Sequence, residues 1–461
     1  MTATIGIQEY DVVVVGGGSA GLAAAVSAAR NGASTLLIDA GPTIGGELIS
    51  GLPLNACLNA RGDWVVGGIV REFLDRCERH GGLVPPYFDW RSLWLVCVDP
   101  EVVKYVVMDI VQEAGVDMLL STFAEQAVVC DGAVTGLIVF NKLGRTLIRA
   151  KTFIDCSGDG VLSVMAGADF EDGDGQGTYQ PVTMMFRMQG VEAEPLLNFI
   201  RQNPHYAGLG ERPDLIGMSK RECAEKLYEQ GVPSVFLDGK GELIQKAVAD
   251  GEISPCGLLA ICPVSTARKE VSLNTTRIAN LDATNAQVLS QALPELIEQV
   301  WQCATFLKTR VPGFENSAFA GLAPRIGIRE TRRIIGLEVL QRDDVLNGRK
   351  RPEDGIAKGA HELDVHGGGD NHRREMIRNG GDYDIPFGCL VPKNTTNVLV
   401  AGRCFSSSRE AHGSARVMGT CMSMGQAAGT AAAMRTESGV AIPEISTTDL
   451  RDRLRAQGAL V

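Results

Sequence analysis

The chain has 461 residues, 45% of them hydrophobic and 21% charged, with a net charge of −11. Its length allows about two to four domain-sized units with ample core, and the acidic balance argues against a nucleic-acid backbone as partner. No apolar run approaches the roughly 20 residues of a membrane helix. The opening MTATIGIQEYD lacks the basic flank and apolar stretch of a signal peptide, so a cytoplasmic location is expected. The 12 cysteines include no C-x-x-C, and Cys256 and Cys262 match no zinc spacing. Buried reduced thiols and no metal site are the expectation.

In chain order, Asp11 to Asp39 reads DVVVVGGGSAGLAAAVSAARNGASTLLID. Val12 to Val15 have the composition of a strand buried on both faces. Gly16, Gly18 and Gly21 follow at the G-x-G-x-x-G spacing, an Ala-rich helix runs to Arg30, and Thr35 to Ile38 form a second strand ending on Asp39. Gly16 suits a tight turn, Gly18 the close approach of a pyrophosphate and Gly21 the packing of helix on strand. The helix N-terminus would face the anion, and Asp39 stands near the spacing of a ribose-binding carboxylate. This reads as a dinucleotide site. Gly45 and Gly46 sit where the chain would run back along the cofactor.

Gly67-Gly68 opens an amphipathic helix with Ile69, Phe73 and Cys77 on one face. Trp90 and Trp94 are expected in the core. Pro100 to Gly115 reads as a helix with Asp99 as N-cap. Three strand-like runs follow, MLLSTFAEQAVVC, AVTGLIVFN and RTLIRAKTFIDCSG, with turns at Asp131-Gly132 and Leu143-Gly144. They predict an antiparallel meander whose last strand ends on Asp155 and meets Gly158, Asp159 and Gly160, small residues beside the cofactor.

From Ala168 to about Asp384 the pattern mixes short strands, helices and glycine-rich loops. It reads as a domain inserted into the first, giving residues 1–167, 168–384 and 385–461 as the expected divisions. It has no second G-x-G-x-x-G, so no separate nicotinamide lobe is expected. In the last part, Asn397 to Ala401 is a buried strand ending at Gly402-Arg403, and Met418 to Met434 a long Ala/Gly/Met helix. Ligands sit outside the carboxyl ends of such strands, which places the loop from Arg403 to Arg416 where chemistry occurs.

The GGGSAG turn with Asp39, GELISG with GGIVREFLDRC, FIDCSGDG, PGFENSAFAGLAPRIGIRETRRIIG, IPFGCLVPKN and NVLVAGRCFSSSREAHGSARVMGTCMSMGQAAGTAAA recur together across nearly the whole chain. In this combination the chain resembles the FAD-dependent oxidoreductase family of the glutathione-reductase/fumarate-reductase superfamily. The resemblance implies an α/β fold: a doubly wound, Rossmann-type FAD-binding domain with a β-meander and an inserted α+β substrate domain. It implies non-covalent FAD, held by Gly16, Gly18, Ser19, Ala20, Gly21, Asp39, Ala40, Gly45, Gly46, Glu47, Ala127, Ser157, Gly158, Asp159, Gly402, Arg403, Gly419, Thr420 and Cys421. It also aims the last helix, near Thr420, at the flavin pyrimidine ring, where reduction places negative charge that a helix N-terminus stabilises. Two departures stand out. The wider superfamily often has Gly-Asp where this chain has Gly402-Arg403, and the nearer family often has a His at the place of Arg409, whereas here the loop's His is His412.

His412 and Glu410 are the expected catalytic bases, since an imidazole titrates near working pH; the structural alternative is a histidine that only holds the loop. Arg329 and Arg333, read as strand alternation in APRIGIRETRR, share one side and are expected with Arg409 and His366 to bind substrate. Their alternative is salt bridging to Glu330 or Glu338. His361 and His366 flank Asp364 in a glycine-rich loop that would close over substrate, with no third metal ligand at close spacing. Arg277 is expected on a solvated strand edge.

The expected activity is a dehydrogenase or oxidase that takes a hydride from a C–OH or C–NH carbon of a small molecule onto flavin N5. Oxygen or an electron-carrier protein would be the oxidant, and a homo-oligomer is compatible. The alternatives are a CH–CH dehydrogenase or enoate reductase of the fumarate-reductase type, and an electron-transfer subunit or structural FAD protein.

Overall fold

The first strand, Gly6–Val15, lies inside a seven-stranded sheet, with Val12, Val13 and Val14 fully buried as a β-branched run covered on both faces should be. The structure is a computed structural model and describes residues 6–367 and 372–461. Thr35–Ile38 pairs in parallel on one side of the first strand and Gly144–Asp155 on the other. Asp117–Leu119 continues the sheet beyond Thr35–Ile38, and Val398–Val400 pairs with the end of Gly144–Asp155, both in parallel. In chain order these strands lie third, second, first, fourth, fifth, the winding of a nucleotide-binding sheet with its switch point at the first strand.

The start of Gly144–Asp155 also pairs antiparallel with Ala133–Asn141, which pairs with Phe123–Cys130. This is the expected meander. Asp131 and Gly132 have φ of +49° and +76°, the double left-handed turn that Asp-Gly favours. The helix Pro100–Glu113 starts as expected, with Asp99 Oδ1 accepting the Glu101 amide at 2.9 Å.

Two helices cover the sheet next to its switch point. Ser19–Arg30 follows the glycine turn, and Met418–Ser438 packs along it so closely that Ser27 Oγ and Thr430 Oγ1 share a hydrogen bond of 2.8 Å. Both are buried nearly throughout, which their Ala and Gly content permits.

A second, antiparallel sheet orders Val235–Asp238, Leu258–Ser265, Glu270–Asn274, Phe186–Gln189 and Ala318–Leu322. It shares a separate core, from Val182 to Ala323, with helices Ala193–Gln202, Lys220–Gln230 and Ala286–Arg310. Ile334, Leu340 and Tyr383, later in the same stretch, pack instead into the first core. Leu363–His366 and His372–Glu375 pair antiparallel, and residues 368–371 between them lie outside the described residues.

All 12 cysteines are free, and all but Cys130 are buried. Among the described residues no helix is long and apolar enough to cross a membrane.

Candidate active site

A cavity of about 390 Å³, a size usual for small-molecule sites, runs from the carboxyl ends of the parallel strands to the second sheet. At its first end Gly16 has φ +102°, and a Cβ on Gly21 would lie 1.7 Å from Gly16 O. Both glycines are required by chain packing. Gly18 differs: no heavy atom lies within 4 Å of where its Cβ would stand. It caps Ser19–Arg30 without a side-chain hydrogen bond, and no acidic residue occupies the first turn. That helix start offers free N–H groups and a positive dipole end to the cavity.

Asp39 closes the same end. Its Oδ2 accepts the Gly17 amide and its Oδ1 the Gly41 amide, each at 2.6 Å, which leaves lone pairs on both oxygens for a ligand hydroxyl. Across the sheet, buried Asp155 accepts Ser157 N and Oγ at 3.1 and 2.6 Å and Ser163 N at 2.8 Å, fixing the turn that carries Ser157, Gly158 and Asp159. Arg403, at the end of the last strand, donates to Asp159 Oδ1 and Thr331 Oγ1, both at 3.0 Å. Glu47 also lines this part; burial pushes its carboxyl up, against Arg325, Ser50 and Arg403.

The helix Met418–Ser438 begins beside the cavity with Val417 as a cap lacking any side-chain bond. Thr420 Oγ1 is buried without a partner. Cys421 lines the cavity, and burial raises its thiol to about 12.

The far wall is cationic and imidazole-rich. Arg329 donates to Pro181 O at 2.7 Å and Asn274 Oδ1 at 3.3 Å; Arg416 donates to Arg329 O, Gln180 Oε1 and Asp364 O, each at 3.1 Å. Among the described residues neither guanidinium forms an ion pair, although Arg374 on the same wall pairs with Glu211 and Glu362. Burial, with Arg416 and Arg277 nearby, pushes Arg329 down to about 9. Arg416 is lowered chiefly by burial. His361, His366, His372 and Asp364 complete the wall.

The model of the "FAD dependent oxidoreductase" family matches residues 11–454. The chain belongs to that family. The NADH:fumarate oxidoreductase of Klebsiella pneumoniae strain 342 is 60% identical over 42 residues, 9% of this chain and 4% of that protein. The 3-oxosteroid 1-dehydrogenase of Mycolicibacterium smegmatis is 56% identical over 40 residues, 9% and 7%. That of Mycobacterium tuberculosis H37Rv is 46% identical over 61 residues, 12% and 11%. The chain thus spans between 4% and 11% of the curated relatives it matches. Among solved structures, a geranylgeranyl bacteriochlorophyll reductase-like protein from Thermoplasma acidophilum aligns with TM-score 0.49 and 14% identity over 98% of this chain and 85% of that one. A flavin-dependent brominase aligns with TM-score 0.47 and 12% identity over 97% and 83%.

FAD, the cofactor of this FAD-dependent oxidoreductase family, fits the cradle on the chain's own atoms. Two uncapped helix starts meet one cavity, and an aspartate offers both oxygens. Gly16, Gly18, Ser19, Ala20, Asp39, Gly46, Glu47, Ser157, Gly158, Asp159, Gly402, Arg403 and Cys421 line it and could hold FAD there. Gly21, Gly45, Gly419 and Thr420 are not among the lining residues. Ala40 is exposed next to Asp39, and Ala127 packs into the small core beneath the meander, away from the cavity.

Four expected catalytic and substrate residues stand elsewhere. His412 is fully buried off the cavity, its Nε2 donating to Arg403 O at 2.8 Å, so it holds the strand-end loop. Glu410 lies on the first turn of Arg409–Ala415, also off the cavity. Arg333 donates to Gly173 O at 2.9 Å and to buried Glu330 at 3.0 Å, and Arg409 donates to the same Glu330 at 3.0 Å. Strand alternation fails here because only Arg332–Ile334 is a strand and Arg329 precedes it in irregular chain. Arg329 and His366 do reach the cavity.

Arg277, expected on a solvated edge, lines the cavity too. Sequence reasoning set Asp364 in the loop over the substrate without a role, and missed Arg416 and His372. A signal existed for Asp364 and His372: Asp364 and His366 alternate on one strand face, and the glycine run before His372 marks a hairpin that returns it to that face.

Proposed function

We propose that the enzyme oxidises a small carboxylate-bearing substrate at a carbon that carries a hydroxyl or amine, the electrons passing later to oxygen or an electron-carrier protein. The observation that carries this reading is the pair Arg329 and Arg416, two partly buried cations that form no ion pair among the described residues, beside Asp364 and His366. Leaving such charges unpaired is costly unless a ligand anion joins them. A substrate carboxylate would supply that charge and raise the depressed proton affinity of Arg329. FAD, when bound, supplies acceptance of a hydride equivalent. The residues of the wall bind and orient: Arg329 and Arg416 take the carboxylate, and the imidazoles face its hydroxyl or amine.

The test is the visible spectrum of the holoenzyme during anaerobic addition of pooled compounds. Hydroxy or amino acids should bleach the flavin band, and alcohols or amines without a carboxylate should not. Bleaching by uncharged alcohols alone would overturn the reading. A second reading, reduction of an enoate, draws on the short matches to a fumarate oxidoreductase and to 3-oxosteroid dehydrogenases. Under it, fumarate or another unsaturated acid would restore the band of the dithionite-reduced protein.

A further inference from the structure

We propose that His366 is the base that accepts the hydroxyl proton of the substrate through Nδ1, with Asp364 as its positioning residue. This rests on the hydroxy-acid reading above.

The hairpin builds the group. Asp364 and His366 are two residues apart on one strand and share a face, and His372 is the cross-strand partner of His366. The carboxylate of Asp364 bridges the two imidazoles: Oδ2 faces Nε2 of His366 at 2.9 Å, and Oδ1 faces Nε2 of His372. The two rings stack with centroids 4.3 Å apart and planes 11° apart. Asp364 is held well below the usual carboxylate range by these two imidazoles, against its burial. An ionised carboxylate only accepts, so both rings present Nε2–H, which fixes the tautomer of His366. Its lone pair is therefore on Nδ1.

That atom is buried and has no hydrogen-bond partner among the described residues. Of the three imidazoles lining the cavity, His366 is the one with a buried nitrogen so placed. His361 uses both of its nitrogens, Nδ1 donating to Glu362 O at 2.8 Å and Nε2 accepting from Asn55 Nδ2 at 3.3 Å. His412 also leaves Nδ1 unpartnered, but off the cavity. Burial, with Arg329 nearby, keeps His366 neutral near pH 7, the state a base needs. The titratable and charged groups around it are Asp364 and His372 on its own hairpin, Arg329 from the segment before Arg332–Ile334, and Arg416 at the end of the short helix Arg409–Ala415.

The bookkeeping of the step is closed. With FAD bound as the hydride acceptor, the C–H bond would break with its electron pair, C–O would become C=O, and the O–H proton would move to Nδ1, giving an imidazolium that Asp364 compensates. Asp364, His366 and His372 also place three ligand-type atoms within 4.8 Å of one another. A cation is disfavoured there, because both Nε2–H groups point at the carboxylate and Arg329 and Arg416 stand beside it.

The experiment mixes holoenzyme anaerobically with lactate, malate and mandelate and follows flavin bleaching across pH 5–9, with oxalate as a non-reacting anion whose binding perturbs the flavin spectrum. His366→Asn should bleach on the order of 100-fold more slowly and lose the pH dependence of the wild type, with FAD content and oxalate affinity unchanged. Asp364→Asn should shift the wild-type profile to lower pH, since it removes the charge that favours the imidazolium. Wild-type rates in His366→Asn overturn the base while leaving hydroxy-acid oxidation standing. Loss of oxalate affinity together with rate marks His366 as structural and also overturns it. If none of the acids bleaches the wild type, the hydride reading falls and the base with it.

Discussion

Asp39 and Gly17 are joined by a hydrogen bond of 2.6 Å from the glycine amide to Oδ2, while the other carboxylate oxygen holds Gly41. One side chain thus ties the glycine turn to the end of the second strand, and what it presents to the cavity is acceptor only. Asp39→Ala removes two charge-assisted bonds and any bond to a ribose. FAD affinity should fall about 100-fold, close to 3 kcal/mol. The FAD-to-protein ratio after gel filtration, read from the visible and ultraviolet bands, checks this; a ratio equal to wild type would rule it out.

The two helices over the sheet make a second prediction. A Cβ on Gly429 would lie 2.1 Å from the carbonyl oxygen of Ala24 and 2.9 Å from Ser27 Cβ. Gly429 is helical, so Ala gains about 1 kcal/mol of propensity there, yet the clash is with backbone that cannot move aside. Gly429→Ala should lower stability by about 1–3 kcal/mol. It should also weaken FAD binding, because Ala24 belongs to the helix whose start faces the cavity. Thermal unfolding with and without added FAD measures both, and an unchanged Tm would count against the packing argument.

What the sequence makes legible follows from range. The strand, turn, helix and strand around Gly16 to Asp39 is local, with each residue type answering a constraint set within a few positions. The Asp131-Gly132 turn and the Asp99 cap are equally local. His412 misled because its loop does leave a strand end beside the cavity, but seating the loop turns the imidazole onto Arg403 O. The arginines misled for a different reason: period-two alternation presumes a strand, and at Arg329 there is none. Arg416 reaches the wall because the short helix Arg409–Ala415 ends there, a placement no local pattern encodes.

Arg329 and Arg333, expected to act together, should separate in experiment. Arg333 is 4% exposed and faces Glu330, which is fully buried. Arg333→Ala should cost about 3 kcal/mol, toward the low side for a broken buried pair because Arg409 still faces Glu330. Arg329→Ala should leave Tm near wild type, since it removes a partly buried charge with no ion-pair partner among the described residues, and should weaken oxalate binding at least tenfold. Urea unfolding and flavin difference spectra distinguish the two. An Arg333→Ala protein of normal stability with impaired oxalate binding would restore the shared substrate role.

His412 supplies the pH prediction. Burial, then the charges of Arg416 and Arg333, holds its imidazole well below the ordinary 6.5. The folded chain therefore binds this proton less readily than the unfolded chain, so stability rises with pH wherever the unfolded imidazole is protonated. The contribution is fully present above pH 6.5 and is lost as pH falls below it, at up to about 1.4 kcal/mol per pH unit, until the depressed folded value is passed. His412→Asn can retain a side-chain N–H for Arg403 O without a titrating group. Its urea midpoint should fall less than wild type between pH 7 and pH 5, while flavin bleaching by an active acid stays within a few-fold at pH 7.5. A bleaching rate reduced 100-fold in that variant, with normal FAD content, would return the base to His412.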